Sequence, residues 1–399
     1  MNQPFWRAAA VTTLLLMTVI SVRVFERAAF AEPASGGTLA TVLQTLRNTG
    51  LNREDRERQT VGYYEGLLNE GSRVTSVGSL LTSQAGRADA ASRRIRALRQ
   101  PDKYIVTRDF LYYVPRPHLD IADYDDGVSR LVTNSVGMAD REYAIAKSAG
   151  TRRIAVLGDS VTRGQGAPFG QSFEALLETA LNDKHASAAA RFELLNFAVS
   201  GYRLTQVVDV ALEKAPPYAP DLYMLALTEL SISGRWGDHL EQLVADGVDL
   251  KYEFLRDLVQ RARLTVDERP GAADAKLAPY RMEIVRWAIT AIRDHTRARG
   301  GNLIVLLVPT VRETASLQKD FSGVPELARE LGVPVIDLLD TFADVPDPGA
   351  FRVSTENVHP NRAGHKRLFE RLYEALVTDP LWENLVRGSS HQSRPGAGG

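Results

Sequence analysis

The chain has 399 residues, 44% hydrophobic and 24% charged, with a formal net charge of -1. This is globular composition, long enough for one large domain and an additional region, and its charge balance gives no electrostatic footprint for nucleic acid. Cysteine is absent, which excludes disulfides, thiolate catalysis and cysteine-ligated zinc or iron–sulfur centres.

At the N-terminus, "MNQPFWR" carries one arginine and precedes the apolar run Ala8 to Val22, "AAAVTTLLLMTVISV". A run of this length is short for a spanning helix and suits a signal-peptide core. "AFA" at Ala29–Ala31 offers a small-x-small cleavage site, although Arg23, Glu26 and Arg27 put charge before it. An apolar span taken from Phe5 to Phe25 would instead stay as a membrane anchor. Residues 1–31 therefore predict export, to the periplasm or beyond, with release and N-terminal membrane anchoring both open. Residues 32–101 are rich in Arg, Ala, Ser and Gly, with weak helical periodicity at Arg58–Asn69 and a basic run at Ser83–Gln100. They read as a helical or loosely ordered accessory region whose basic run is a solvated face. Residues 102–150, with "DFLYYVPRPHLD" and "TNSVG", read as an irregular entrance packed beside a sheet.

A repeating α/β order starts at Ile154. "IAVL" (Ile154–Leu157) predicts a strand buried on both faces, and "SFEALLETALN" sets Phe173, Leu176, Leu177, Ala180 and Leu181 on one helical face. Further strands are expected at Phe192–Gly201, Ala219–Leu227, Asn302–Pro309 and Val333–Leu339. The stretch from Gly234 to about Gly301 reads as a charged, helical insertion with a long helix at Tyr280–Arg299. Asn361–Val377 is a closing amphipathic helix, and residues 378–399 form a tail expected to be disordered. Strands alternating with helices predict a parallel sheet covered on both faces, with ligands beyond its carboxyl ends.

"GDSVTRGQG" stands at one such end. It lacks the spacing of a P-loop, Phe169 breaks a dinucleotide fingerprint, and Thr162 breaks a Gly-x-Ser-x-Gly elbow. Ser160 alone would read as a helix N-cap; as a nucleophile it needs a base. Of the seven histidines (His118, His185, His239, His295, His359, His365 and His391), His359 lies after the last strand in a polar cluster, "TENVHPN". Pro360 biases it away from helix. Glu356, three residues earlier, can accept from its other ring nitrogen. His365 falls on the following helix and reads as a surface or packing residue. Asp159 reads as structural, its carboxylate satisfied by loop N–H groups.

The chain resembles the SGNH/GDSL hydrolase superfamily of serine esterases over roughly residues 100 to 377. "LGDSVTRGQG" is similar to its first block and gives Ser160 as nucleophile. "NFAVSGYR" is similar to the second and gives the Gly201 N–H as an oxyanion donor beside that of Ser160. "ENVHPNRAGH" is similar to the last, giving His359 as base, with Glu356 where the family usually has Asp. The resemblance implies a flavodoxin-like three-layer α/β/α sandwich over residues 102–377, working without metal or cofactor. The third block should bring an Asn oxyanion donor, but "LALTELSISG" has none. Thr228 is the nearest candidate and Ser231 the second, while Glu229 would repel an oxyanion unless turned away or protonated. Losing such a donor typically costs about 100- to 1,000-fold in turnover. The expected reaction is two-step acyl transfer through an acyl-serine, with an O-acyl, often acetyl, group on a cell-envelope or secreted carbohydrate as substrate. Two other classes stay open: a lipolytic esterase or thioesterase, and an acetyltransferase or non-hydrolytic carbohydrate-binding component of polysaccharide assembly.

Overall fold

Five apolar runs line up as a parallel sheet because almost every residue in them is buried on one face or the other. The computed structural model describes residues 100–123, 129–184, 191–233, 236–265 and 272–378. The expected signal or anchor segment, residues 32–99 of the accessory region, and the tail past residue 378 lie outside the described residues. Among the described residues, no helix is long and apolar enough to cross a membrane.

The sheet consists of β5 (Thr151–Leu157), β6 (Arg191–Asn196), β7 (Leu222–Leu227), β8 (Asn302–Leu307) and β9 (Val335–Asp337). Its order is β6-β5-β7-β8-β9, every neighbour parallel. Counted from its first strand this is the flavodoxin-like order 2-1-3-4-5, whose switch point opens between the first and third strands. Here those are β5 and β7, so the loops after Leu157 and Leu227 face one crevice.

Alternation along each strand divides the core. Ala155, Leu157, Tyr223, Leu225, Val305 and Leu307 point to one face, where they join Ile284, Val285, Ala288, Ile289 and Ile292 of α7 (Arg281–Arg297). Ile154, Val156, Met224, Ala226, Ile304 and Leu306 point to the other. They meet Phe173, Leu177 and Leu181 of α1 (Phe173–Lys184), and Leu368, Leu372 and Leu376 of α10 (Arg362–Val377). The helical residues recur three or four apart, the spacing that forms one apolar stripe. Truncating any of these buried leucines to Ala would cost about 2–5 kcal/mol. The result is the expected three-layer sandwich.

Two details differ from the sequence reading. The second strand ends at Asn196 rather than Gly201, because the Asn196 side chain turns inward to Thr162 O (3.1 Å) and Glu174 Oε1. The segment expected to be irregular carries two antiparallel ribbons, β1 (Tyr104–Val106) with β2 (Tyr113–Pro115) and β3 (Asp120–Ala122) with β4 (Arg130–Val132). The first ribbon supports the crevice: Tyr113 donates its hydroxyl to Ser200 O (3.1 Å), and Tyr202 donates to Tyr113 O (2.6 Å).

Candidate active site

The turn after β5 is tight by necessity. A Cβ on Gly158 would lie 2.3 Å from Thr162 Oγ1, so only glycine lets the chain fold back there. Asp159 then clamps the loop, its Oδ1 accepting from Val161 N (3.1 Å) and its carbonyl from Arg163 N (2.9 Å). Ser160 O accepts from Gln165 N at 3.0 Å. The seryl hydroxyl is left facing the crevice, 2.7 Å from His359 Nε2.

His359 is fully buried, and the hydrogen bonds Val311 N to Val358 O (2.8 Å) and Val353 N to His359 O (3.0 Å) hold its loop against the end of β8. Its tautomer follows from its neighbours. The backbone N–H of His359 can only donate, and it donates to Asn357 Oδ1 at 3.1 Å. The atom receiving it is therefore the amide oxygen, and that same oxygen lies 2.9 Å from His359 Nδ1. Nδ1 must carry the ring proton, and Nε2 is left bare to accept the proton of Ser160. This is the arrangement a general base requires.

The residue orienting the histidine is thus Asn357, not Glu356. The expectation for Glu356 fails on local geometry. A turn closed by Asn357 N to Ser354 O (3.3 Å) sends Glu356 into solvent, where its Oε2 accepts from Ser354 Oγ (3.3 Å). Asn357 points inward and is buried. A search for a carboxylate passes over a neutral amide, and the signal that could have found it was the Ser-x-x-Asn turn itself.

Gly201 lies in the loop that follows β6. Its φ is +84°, and a Cβ there would stand 2.9 Å from the Tyr113 hydroxyl, so glycine is required. Among the described residues, no acceptor takes the N–H of Ser160 or of Gly201. The Gly201 loop is tied to the nucleophile loop through Val199 N to Gly158 O (3.4 Å), and Arg163 Nε donates to Ser200 Oγ (2.5 Å).

Thr228 does stand at the carboxyl end of β7, but its hydroxyl is already committed. It donates to Asp159 Oδ2, and Ser231 Oγ donates to the same oxygen at 3.3 Å. A threonine has one hydroxyl proton, so the expected role of Thr228 in the oxyanion hole is overturned, and that of Ser231 with it. Burial pushes the Asp159 carboxyl up, opposed by the hydrogen bonds from Thr228, Val161 and Ser231. Glu229 turns away toward Thr310, whose hydroxyl donates to its Oε1, and toward Arg312 at 3.7 Å. Burial pushes its carboxyl up, with Arg312 opposing. His365 is a packing residue: Phe173 N donates to its Nδ1 (3.4 Å) and Nε2 lies 3.2 Å from Gln165 O. Burial lowers its pKa to about 4, so it stays neutral and outside the chemistry.

Residues 156–367, more than half of the chain, match the GDSL-like lipase/acylhydrolase family. The chain belongs to this family. Ser160 and His359 in hydrogen-bond contact make this GDSL-family protein a serine esterase of the SGNH type, with ester hydrolysis as its activity. The GDSL chain is also similar to solved structures at low identity. It shares 15% identity with TesA, over 56% of this chain and 98% of that one, at a TM-score of 0.36. A two-domain esterase active on acetylated mannans shares 14%, over 60% and 51%, at 0.39. Axe2, an acetylxylan esterase from Geobacillus stearothermophilus, shares 14%, over 58% and 95%, at 0.38. No curated protein matches the chain.

Proposed function

We propose that this esterase removes O-acyl groups, acetyl foremost, from a carbohydrate of the cell envelope or a secreted polysaccharide. The 2.7 Å contact between Ser160 Oγ and His359 Nε2 carries the chemistry. His359 takes the hydroxyl proton as Ser160 Oγ attacks the ester carbonyl. The N–H groups of Ser160 and Gly201 receive the oxyanion. As the tetrahedral species collapses, His359 returns the proton to the leaving alcohol, and an acyl-serine remains. Water then attacks that ester with His359 again as base, releasing the acid. Asn357 holds Nδ1–H throughout. The carbohydrate assignment is supported by the export predicted from residues 1–31, which places the enzyme in the periplasm or outside the cell, anchored or released.

A second reading, transfer of the acyl group to a bound acceptor, is favoured by one observation: the Thr228 hydroxyl is held by Asp159, so the oxyanion rests on backbone donors. A fluorophosphonate label followed by peptide mapping tests the nucleophile. Ser160 is the expected adduct, and Ser160→Ala should abolish both labelling and p-nitrophenyl acetate turnover while the protein stays folded. Turnover unchanged in Ser160→Ala would refute the esterase mechanism. Acetate release from acetylated xylo- and manno-oligosaccharides, set against long-chain p-nitrophenyl esters, tests the substrate class. Preference for the long acyl chains would refute it. Acetylated product appearing on an added oligosaccharide at the expense of free acetate would favour the transferase.

A further inference from the structure

The Ser200–Gly201 peptide carries one of the N–H groups assigned to the oxyanion, and the turn around it has two accessible settings. Tyr202 N donates to Val199 O at 3.1 Å, which makes Ser200 and Gly201 the central pair of a β-turn. Gly201 has φ +84° and Ser200 keeps a negative φ, so the turn is of type II. Type I differs from it chiefly in the central peptide, which is turned over by roughly 150–170°. Glycine at the third position tolerates either setting. The peptide is planar and trans, so its carbonyl and its N–H point opposite ways. A flip would therefore exchange the N–H for a carbonyl oxygen, which repels an oxyanion.

Residues ahead of the family match fix the setting. Tyr113 of β2 donates its hydroxyl to Ser200 O at 3.1 Å, so the carbonyl is held toward the ribbon and the Gly201 N–H faces away from it. Tyr113 is buried, and its ring packs edge-on against Tyr104 (5.2 Å between centroids) and Tyr202 (5.1 Å), which fixes where the hydroxyl can reach. Ser200 is held by its side chain as well: its Oγ accepts from Arg163 Nε (2.5 Å) and donates to Gln165 Oε1 (2.8 Å). Arg163 is in turn paired with Asp123, the residue after β3. Tyr113 and Asp123 both lie outside residues 156–367, so this support comes from beyond the span that matches the family.

We propose that Tyr113 is a positioning residue for the oxyanion: it holds the Ser200–Gly201 peptide in the setting that offers an N–H to the tetrahedral intermediate. The role rests on the reading of Gly201 as an oxyanion donor and adds the group that orients it. Tyr113→Phe keeps the ring packing and removes only the hydroxyl. With the full chain and p-nitrophenyl acetate, kcat should fall about fivefold, the worth of one hydrogen bond in such an equilibrium, while KM stays unchanged. The Ki of phenylboronic acid, which adds to a seryl oxygen as a tetrahedral boronate, should rise by the factor by which kcat/KM falls, because the analogue needs the same donor.

Tyr202→Phe removes another tie between ribbon and turn, from the Tyr202 hydroxyl to Tyr113 O (2.6 Å), without touching the Ser200 carbonyl. It should lower the melting temperature at least as much as Tyr113→Phe and cost kcat less. Adding Ser200→Ala to Tyr113→Phe releases the side chain too. The pair should lower kcat further, toward the roughly 100-fold expected for a lost oxyanion donor. A kcat within about twofold of wild type in Tyr113→Phe and in the double variant, or an equal fall in Tyr202→Phe, would overturn the role of Tyr113. An impaired Gly201→Ala beside that result would leave the oxyanion reading standing. Wild-type turnover in Gly201→Ala would overturn that reading as well.

Discussion

Asn357 is the residue whose replacement most directly tests the catalytic geometry. Its amide oxygen receives two N–H groups of the same residue, His359 N at 3.1 Å and Nδ1 at 2.9 Å, in a fully buried setting. Asn357→Ala leaves Nδ1–H without its acceptor and frees the ring to adopt the other tautomer, which presents a proton rather than a lone pair to Ser160. An unsatisfied buried donor costs about 1–3 kcal/mol. At 1.36 kcal/mol per tenfold, that predicts a kcat lower by roughly 5- to 150-fold. Full loss of the correct tautomer sets an upper bound of about 10,000-fold, the figure known for an analogous change in a serine protease triad. KM should stay within a factor of two or three, because Asn357 touches the base rather than the substrate.

The companion variants make this discriminating. Glu356→Gln, at an exposed residue bonded only to Ser354 among the described residues, should leave kcat within about twofold, since surface changes rarely matter. Asn357→Asp puts a carboxylate against Nδ1, which favours the imidazolium and should move the acid limb of the kcat/KM profile upward by one unit or more. Initial rates on p-nitrophenyl acetate between pH 5 and 9, with thermal melts to control for folding, suffice. The reasoning fails if Asn357→Ala turns over within twofold of wild type, or if Glu356→Gln suffers the larger loss.

Three further outcomes follow from the same contacts. Thr228→Val should lower stability by about 1–3 kcal/mol, because Asp159 loses its main donor, while kcat falls less than tenfold; a loss above 100-fold at unchanged melting temperature would restore Thr228 to the oxyanion hole. Gly201→Ala, which forces a Cβ into the +84° region and against the Tyr113 hydroxyl, should lower kcat and melting temperature together; wild-type behaviour would remove Gly201 from the site. Glu174→Gln should raise the melting temperature more at pH 8 than at pH 5. The Glu174 carboxyl is pushed up in the folded state, so the folded protein binds the extra proton, and stability falls as pH rises from the ordinary glutamate range toward the raised value. That slope is at most about 1.4 kcal/mol per pH unit for one proton, and a wild-type melt that rises from pH 5 to 8 with no flattening in the variant would contradict it.

The fold was legible because its signals are local. The apolar runs ending at Leu157 and Leu227 read as buried strands because they are short and Gly158 and Pro220-Asp221 punctuate them. Ser160 and His359 were legible because nucleophile and base must each stand at a strand end, and parallel strands share one. Asn357 was not, since which of two adjacent side chains faces inward depends on the hydrogen bonds of the Ser354–Asn357 turn. The fate of Thr228 was hidden for another reason. Its strand-end position is readable from sequence, but its partner Asp159 is brought to it only by the pairing of β5 with β7. The short ribbons β1–β4 escaped because three-residue strands carry too little alternation to register.

The end of β7 shows what replaced the missing asparagine. Thr228 and Ser231 both donate to Asp159 Oδ2, and Asp159 Oδ1 holds the N–H of Val161, the residue after the nucleophile. Glu229 is drawn the other way, to Thr310 and Arg312 at the end of β8. The third strand therefore anchors the nucleophile loop through a buried carboxylate instead of presenting an amide to the substrate. Such an anchor fixes the position of Ser160 Oγ against His359, which benefits attack; it does nothing for the charge that attack creates. In the proposed mechanism two backbone donors remain for the oxyanion, and one absent donor is worth about 10²–10³ in turnover. A site built this way is well ordered but weak at stabilising charge. It should depend on binding energy from the rest of its substrate.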